Sequence, residues 1–206
     1  PFPFFLRTAY VGTAFHGWQI QTSLRSVQAE LWRALQALDP EAPMPQGTGR
    51  TDAGVHARAQ GVLIQAARAW EPYRLLAALN AHLPSDARVM EVQPAPAEFF
   101  PRHHAVAKRY VYRINEGPAE DPFQRDRRWH VHGAEPLDRA SMARARRCRK
   151  ERSSSTIRTD RSSPTSGGVV SFIASSSNNA VSGRAGHERK GLGFMRWTAY
   201  ATCPPD

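Results

Sequence analysis

The chain has 206 residues and a formal net charge of +10 at pH 7. This length is enough for one large domain or two small ones, and no apolar run approaches the roughly 18 residues of a membrane span. Cys148 and Cys203 lie far apart without neighbouring ligands, which argues against a disulfide framework or a zinc site. The opening residues lack the basic leader of a secretion signal, so we expect a cytoplasmic protein.

Strands and helices alternate in the first part of the chain. Apolar residues recur with a period of two or of about 3.6, and turn residues or a helix-capping Ser26 separate the segments. The predicted elements are a strand from Phe4 to Val11, a helix from Val27 to about Leu38, a strand from Gly61 to Ala67, a helix from Pro72 to about His82 and a strand from Ala87 to Val92. This order predicts an α/β (α+β) fold in which helices cover one face of a sheet.

A proline-broken connection from Pro94 to Pro101 predicts a boundary between an N-terminal half, residues 1–98, and the start of a second half, residues 99–145. In the second half, Ala107 to Asn115 is predicted to be a strand because its side chains alternate in character. Arg128 to His132 is predicted to neighbour it. A helix is predicted to run from Leu137 to about Ala145, either capped by Asp138 or preceded by Pro136.

Residues 146–206 differ in composition from everything before them. They carry 11 Lys/Arg and 4 Asp/Glu, a net of +7, whereas residues 1–145 carry 17 and 14, a net of +3. The segment also holds 11 of the 15 serines. Such polar, low-complexity sequence predicts disorder, and a shifted reading frame from near residue 145 is our hypothesis for its origin.

The segment Gly47–Ala57, hereafter the Asp52 loop, carries the strongest functional signal. Gly49 and Gly54 permit unusual backbone conformations, while Arg50 can pair with Asp52 and keep it ionised. A positioned, ionised carboxylate is typical of a nucleophile or general base. When the loop is considered by itself, a surface turn in which the Asp52 side chain hydrogen-bonds to its own backbone explains it as well as an active site does. A dinucleotide or P-loop site is disfavoured, because the required third glycine or Gly-Lys-Ser/Thr is missing.

The motif Gly49-Arg-Thr-Asp-Ala-Gly-Val-His56 resembles the signature of the tRNA pseudouridine synthase A family. Further similarities follow in the family's order, over about residues 3–145: Tyr10-Val-Gly12, Gly17-Trp-Gln19, Asn80-Ala-His-Leu-Pro84 and Lys108-Arg-Tyr-Val-Tyr-Arg113. Val11 departs from the pattern, since the family has Asp there. After residue 145 the family motifs are lost.

The resemblance implies two similar halves around a mixed, largely antiparallel sheet, with the active site between them. It implies an isomerase that converts uridine to pseudouridine in the anticodon stem-loop of tRNA, acts as a homodimer and uses no cofactor or metal. Asp52 would be the nucleophile, Arg50 its orienting partner and Tyr110 the residue that stacks on the target base. Tyr112 is expected in the core, since aromatic residues on strands usually are.

Basic residues near the predicted second-half strand and the loop could grip RNA phosphates, although a solvated charged face explains each of them equally well. The candidates are Arg58, Arg102, Lys108, Arg109 and Arg113. His130 and His132 share a strand face but have no third metal ligand of suitable spacing nearby. Two other functions stay open: an RNA-binding remnant of the family that docks tRNA without modifying it, and a nucleotide-binding enzyme.

Overall fold

The computed structural model describes residues 1–105, 107–132, 137–138 and 140–142, and three strands farther along the chain. Within these residues the helices are α1 Val27–Gln36, α2 Pro72–His82 and α3 Pro101–His104, with short 3-10 helices at Gly12–Ala14 and Arg125–Arg127. The strands are β1 Phe2–Tyr10, β2 Gln46–Gly47, β3 His56–Ala66, β4 Ala87–Pro94, β5 Ala107–Glu116, β6 Trp129–Val131, β7 Ser155–Asp160, β8 Val169–Ser177 and β9 Arg196–Tyr200.

The strands form one sheet in the order β4-β1-β3-β9-β5-β8-β7, with β2 added to β3 and β6 added to β5. Most neighbouring strands run antiparallel, whereas β5 runs parallel to both β6 and β9. The predicted class, a mixed and largely antiparallel sheet with helices, is therefore confirmed. Among the described residues, no helix is both long and apolar enough to cross a membrane.

The main core lies between the first-half strands and the helices α1 and α2. Alternate residues of β1, such as Leu6, point towards the helices and are completely buried, as a period of two requires. The apolar stripe of α1 and the buried Leu75 and Leu79 of α2 meet them in one cluster. Ser26 accepts a hydrogen bond from the Ala29 N–H at 3.3 Å, which confirms the predicted cap of α1.

The opposite face of the sheet is partly covered by the proline-broken connection. Its second residue is bonded to the start of β1, because the Ala95 N–H donates to the Pro3 carbonyl at 2.9 Å. Farther on, the Phe99 ring packs edge-on against Phe5, with centroids 5.3 Å apart. The connection thus lies on the sheet, and α3, which the sequence analysis does not predict, begins at its end.

Most predicted boundaries in residues 1–132 are accurate to about two residues, and α2 matches at both ends. The strand β3 is the main exception, since it begins at His56 instead of Gly61 because Ala57 already pairs with Tyr10 of β1. Asp138 Oδ1 accepts from the Ser141 N–H at 2.9 Å, as predicted for a helix cap. Residues 143–154 lie outside the described residues, so the end of that helix stays a prediction.

Residues 146–206 are described only as the backbone of β7, β8 and β9. β8 pairs with β5 along most of its length, and β9 lies between β3 and β5. The disorder predicted for this segment and its origin in a shifted frame stay predictions, because most of it lies outside the described residues.

Candidate active site

The Asp52 loop joins β2 to β3, and its first residues are fixed against β3. The Thr48 N–H donates to the Gly61 carbonyl at 2.9 Å, and Gln60 Nε2 donates to the Gly49 carbonyl at the same distance. Gln60 itself is buried. A buried amide bonded to the loop backbone restricts where the following residues can lie.

The middle of the loop is fixed by the segment that follows β1. The Thr51 carbonyl accepts from the Trp18 N–H at 3.0 Å, and the Thr51 hydroxyl lies 2.8 Å from the Tyr10 hydroxyl. Two residues past Asp52, the Gly54 N–H donates to the Phe15 carbonyl at 3.1 Å. Thr51 is buried whereas Asp52 is exposed, so these bonds present a solvent-accessible carboxylate on a fixed backbone.

Glycines make this close approach possible. Gly17 has a φ of 91°, and a Cβ there would lie 2.6 Å from the Thr51 carbonyl oxygen. At Gly12 a Cβ would lie only 2.1 Å from the Val55 carbonyl oxygen. Gly54, with a φ of 76°, turns the loop back towards β3.

His56 closes the loop and connects it to the second half of the chain. Its Nδ1 accepts a hydrogen bond from the Gly12 N–H at 3.1 Å, so the ring proton is on Nε2, which donates to the Asp126 carbonyl at 2.6 Å. Burial, and to a smaller degree the charge of Arg127, holds the pKa of His56 below its ordinary value of 6.5. These two bonds make His56 a structural part of the loop.

Acidification should weaken the fold through His56. Because its pKa is lower when folded than when unfolded, its contribution to stability is fully present above about pH 6.5 and is lost as the pH falls below that value. In that window the free energy of unfolding should fall by up to about 1.4 kcal/mol per pH unit. Urea unfolding at pH 7.5 to 5 measures this.

The variant His56→Asn is the control for that measurement, because its amide oxygen can still accept from Gly12 but it does not titrate. Its unfolding free energy should depend less on pH than that of the unmodified chain. Identical pH dependence of the two proteins would show that His56 does not contribute.

Tyr110, on β5, is half-buried and lies within the electrostatic reach of the loop. Burial raises its pKa most, and the neighbouring Tyr112 and the negative charge of Asp52 raise it further. The pKa of Tyr10 is raised as well, mainly by burial, with Tyr110 contributing. Tyr110 therefore lies within electrostatic range of both Asp52 and Tyr10, and both phenols are protonated at neutral pH.

The predicted pairing of Arg50 with Asp52 is not observed. Arg50 is exposed, and no ion pair joins these two side chains in the described structure. The prediction that Tyr112 lies in the core is wrong, since 46% of it is exposed. The reason is that α1 and α2 cover the first-half strands, and the core cluster beneath them contains no residue of β5.

The predicted phosphate-binding residues are distributed around the loop. Arg58 is exposed in β3, directly after the loop, and Arg102 is exposed on α3. Lys108 and Arg109 pair through their backbone with Ser176 and Ser175 of β8, but their side chains lie outside the described residues. The rings of His130 and His132 lie 4.2 Å apart, and no group of three metal-ligating side chains occurs in the described part of the chain.

No family model matches the chain. It is similar, however, to curated proteins named tRNA pseudouridine synthase A. The protein from Methylacidiphilum infernorum is 41% identical over 138 residues, which cover 67% of this chain and 54% of that protein. The protein from Shouchella clausii is 41% identical over 140 residues, which cover 68% of this chain and 53% of that protein. The protein from Sinorhizobium medicae is 39% identical over 145 residues, which cover 69% of this chain and 58% of that protein.

Two thirds of this chain matches tRNA pseudouridine synthase A. The resemblance predicted from the motifs is therefore confirmed for that part. The chain spans about half the length of the curated tRNA pseudouridine synthases A that it matches.

Several contacts that position the Asp52 loop are not evident from sequence. The Thr51 hydroxyl binds the Tyr10 hydroxyl, 41 residues away, and the Asp126 carbonyl binds His56, 70 residues away. Thr51 could have been suspected from its place between Arg50 and Asp52 in the motif that resembles the family signature. The Asp126 contact uses a backbone carbonyl, which any residue would provide, so no signal identifies it.

Proposed function

We propose that this chain carries the nucleophile of a tRNA pseudouridine synthase, Asp52, and that it isomerises uridine to pseudouridine in the anticodon stem-loop. The observation that carries the proposal is the exposed Asp52 carboxylate, held by backbone hydrogen bonds of the residues on both sides of it, with the Tyr110 phenol within electrostatic range. The similarity to curated tRNA pseudouridine synthases A supports the same reaction.

The reaction breaks the bond between ribose C1′ and uracil N1 and forms a bond between C1′ and uracil C5. The C5 proton is lost to solvent and N1 gains a proton, so no oxidant, reductant or group carrier is consumed. Asp52 is suited to form the covalent intermediate, by attack on either C1′ or uracil C6. Its exposure leaves room for a nucleotide, and the anchored backbone limits the motion of the attacking oxygen.

A uridine in a stem must leave the base stack to reach Asp52, at a cost of a few kcal/mol. Stacking on an aromatic ring returns about 1–3 kcal/mol. We assign this role to Tyr110, whose raised pKa keeps the phenol neutral, which favours stacking and hydrogen-bond donation over removal of the C5 proton as a base.

Arginines around the loop would bind the RNA on either side of the target nucleotide. Arg50 is exposed, lies two residues before Asp52 and is not paired with it, which supports a role in which its guanidinium contacts RNA or the displaced base when substrate binds. Arg58 and Arg102 are exposed and would contact flanking phosphates. Lys108 and Arg109 are assigned the same role on sequence grounds. A homodimer, with tRNA in contact with both subunits, is part of the same proposal.

Release of tritium from tRNA labelled at uracil C5 tests the reaction, because only loss of the C5 hydrogen frees the label. We expect release that grows with time and enzyme concentration. A tRNA whose anticodon stem-loop lacks uridine serves as the control and should release none.

The second candidate function is an RNA-binding remnant without activity. The observation in its favour is that the chain spans about half the length of the curated relatives that it matches. Stoichiometric tRNA binding without tritium release would establish this alternative and contradict the proposed function.

A further inference from the structure

Arg25, directly before the residue that caps α1, is bonded through all three nitrogens of its guanidinium group. Two of them donate to the two oxygens of Asp86 at 2.7 and 2.9 Å, and Nε donates to Glu30 Oε1 at 3.0 Å. A bidentate pair of this kind is the strong form of the arginine–carboxylate contact. Asp86 is ionised in it, because the hydrogen bond from Arg25 holds the pKa of this carboxyl below its ordinary value. The two carboxylates therefore fix the position of the Arg25 side chain.

The same guanidinium group lies over the ring of Phe15. Its central carbon is 4.2 Å from the centre of that ring, which is close enough for the cation to be attracted to the aromatic face. Phe15 is buried, and its ring also packs edge-on against Tyr10, with centroids 6.2 Å apart. Because the carboxylates fix the guanidinium, the guanidinium in turn restricts the Phe15 ring.

Arg25 also holds the chain next to Phe15 through its backbone. Its carbonyl accepts a hydrogen bond from the His16 N–H at 2.9 Å. Residues 15–18 form a short segment, hereafter the Phe15 segment, and Arg25 thus contacts two consecutive residues of it, one with its side chain and one with its backbone.

The Phe15 segment anchors the Asp52 loop. The Phe15 carbonyl accepts from the Gly54 N–H at 3.1 Å, and the Trp18 N–H donates to the Thr51 carbonyl at 3.0 Å. Gly54 and Thr51 lie on either side of Asp52 in the sequence. The ring that Arg25 restricts and the carbonyl that binds the loop belong to the same residue, so a shift of Phe15 also shifts a backbone anchor of Asp52.

We infer that Arg25 is a positioning residue, which fixes the Asp52 carboxylate for attack by holding the Phe15 segment against the loop. The inference rests on the proposed function, since it gives Arg25 a part in the same reaction. Arg25 does not belong to the group of RNA-binding arginines, because its three nitrogens are already bonded to Asp86 and Glu30. A lysine would not reproduce these contacts, since it has no planar fork.

The first arm of the test is the kinetics of tritium release by the full chain. Arg25→Gln should lower kcat by about 10- to 100-fold, because a nucleophile misplaced by about 1 Å costs up to this much. The KM for tRNA should stay unchanged, since Arg25 makes no assigned contact with RNA. Arg25→Lys keeps a cation near Phe15 without the bidentate pair and should recover part of the lost kcat.

The second arm measures amide hydrogen exchange of the full chain without RNA, so it does not depend on turnover. In Arg25→Gln the amides of Gly54 and Trp18 should lose protection by about tenfold, the order of factor expected from loss of a cation–π contact and a bidentate pair. The amide of Leu79, a buried residue inside α2, should keep its protection, because the loosening is local.

Arg33→Gln is the matched control. Arg33 also pairs with Glu30, at 2.9 Å, but it is exposed on α1. Both kcat and the protection of Gly54 and Trp18 should stay unchanged in this variant.

Selective loss of protection at Gly54 and Trp18, together with a fall in kcat at constant KM, supports the inference. Protection that is unchanged there, or that falls no more than at Leu79, overturns it, and so does an unchanged kcat. Should Arg25→Gln unfold, the same comparison is made on Arg25→Lys. If the unmodified chain releases no tritium, the proposed function fails, and the exchange measurement still decides whether Arg25 holds the loop.

Discussion

Asp52→Ala is expected to reduce tritium release from labelled tRNA by about 10⁴-fold or more, because it removes the group assigned to covalent catalysis. Stability should be almost unaffected. Asp52 is exposed, and the neighbouring hydrogen bonds use backbone atoms and the side chains of other residues. A surface substitution of this kind usually changes the free energy of unfolding by no more than about 0.5 kcal/mol.

Glu41→Ala is the matched control, since Glu41 is also an exposed acidic residue but lies in the turn after α1. It should retain full activity. Tritium release by Asp52→Ala at a rate near that of the unmodified chain would exclude Asp52 as the nucleophile. A large drop in urea stability would instead mean that the loss of activity came from unfolding.

Gly12→Ala is expected to displace the Asp52 loop and to lower the free energy of unfolding by about 3 kcal/mol. An added Cβ would lie 2.1 Å from the Val55 oxygen and 2.8 Å from the Gly54 carbonyl carbon. Both are backbone atoms, so no side-chain rotation relieves the contact, and overpacking of this kind costs about 1–3 kcal/mol or more. The shift would also disturb the bond from the Gly12 N–H to His56. Activity should therefore fall together with urea stability.

Gly117→Ala separates this steric effect from the general cost of replacing glycine. Gly117 has a φ of 149°, and no heavy atom of the described residues lies within 4 Å of an added Cβ, so only backbone strain of about 1 kcal/mol is expected. Its activity should be retained. Equal losses in the two variants would mean that the contact of Gly12 with Val55 is unimportant.

Elements whose causes are local could be predicted from the sequence. Pro72 fixes the start of α2, and the leucine spacing defines its buried face, so both ends agree with the prediction. Ser26 caps α1 as predicted for the same reason, since a cap acts on the N–H three residues away. The motif around Asp52 likewise lies within one short loop.

Contacts between distant segments could not be predicted. The early start of β3 depends on pairing of Ala57 with Tyr10, and neither residue indicates the other. Arg50 shows the reverse error. Because it lies two residues before Asp52 in the sequence, an ion pair between the two side chains was predicted, but the described structure contains none. The exposure of Tyr112 is set by which strands the helices cover, a property of the whole sheet.

The position of His56 also has a consequence for the order in which the protein can mature on the ribosome. The residue ends the Asp52 loop, yet it binds the Asp126 carbonyl and pairs with Tyr200 of β9. A nascent chain that has emerged only through α2 can already pair β1 with β3 and pack its helices. Asp126 and Tyr200, which bind His56, are synthesised much later. The emerging chain should therefore acquire a packed core well before the Asp52 loop reaches its final conformation.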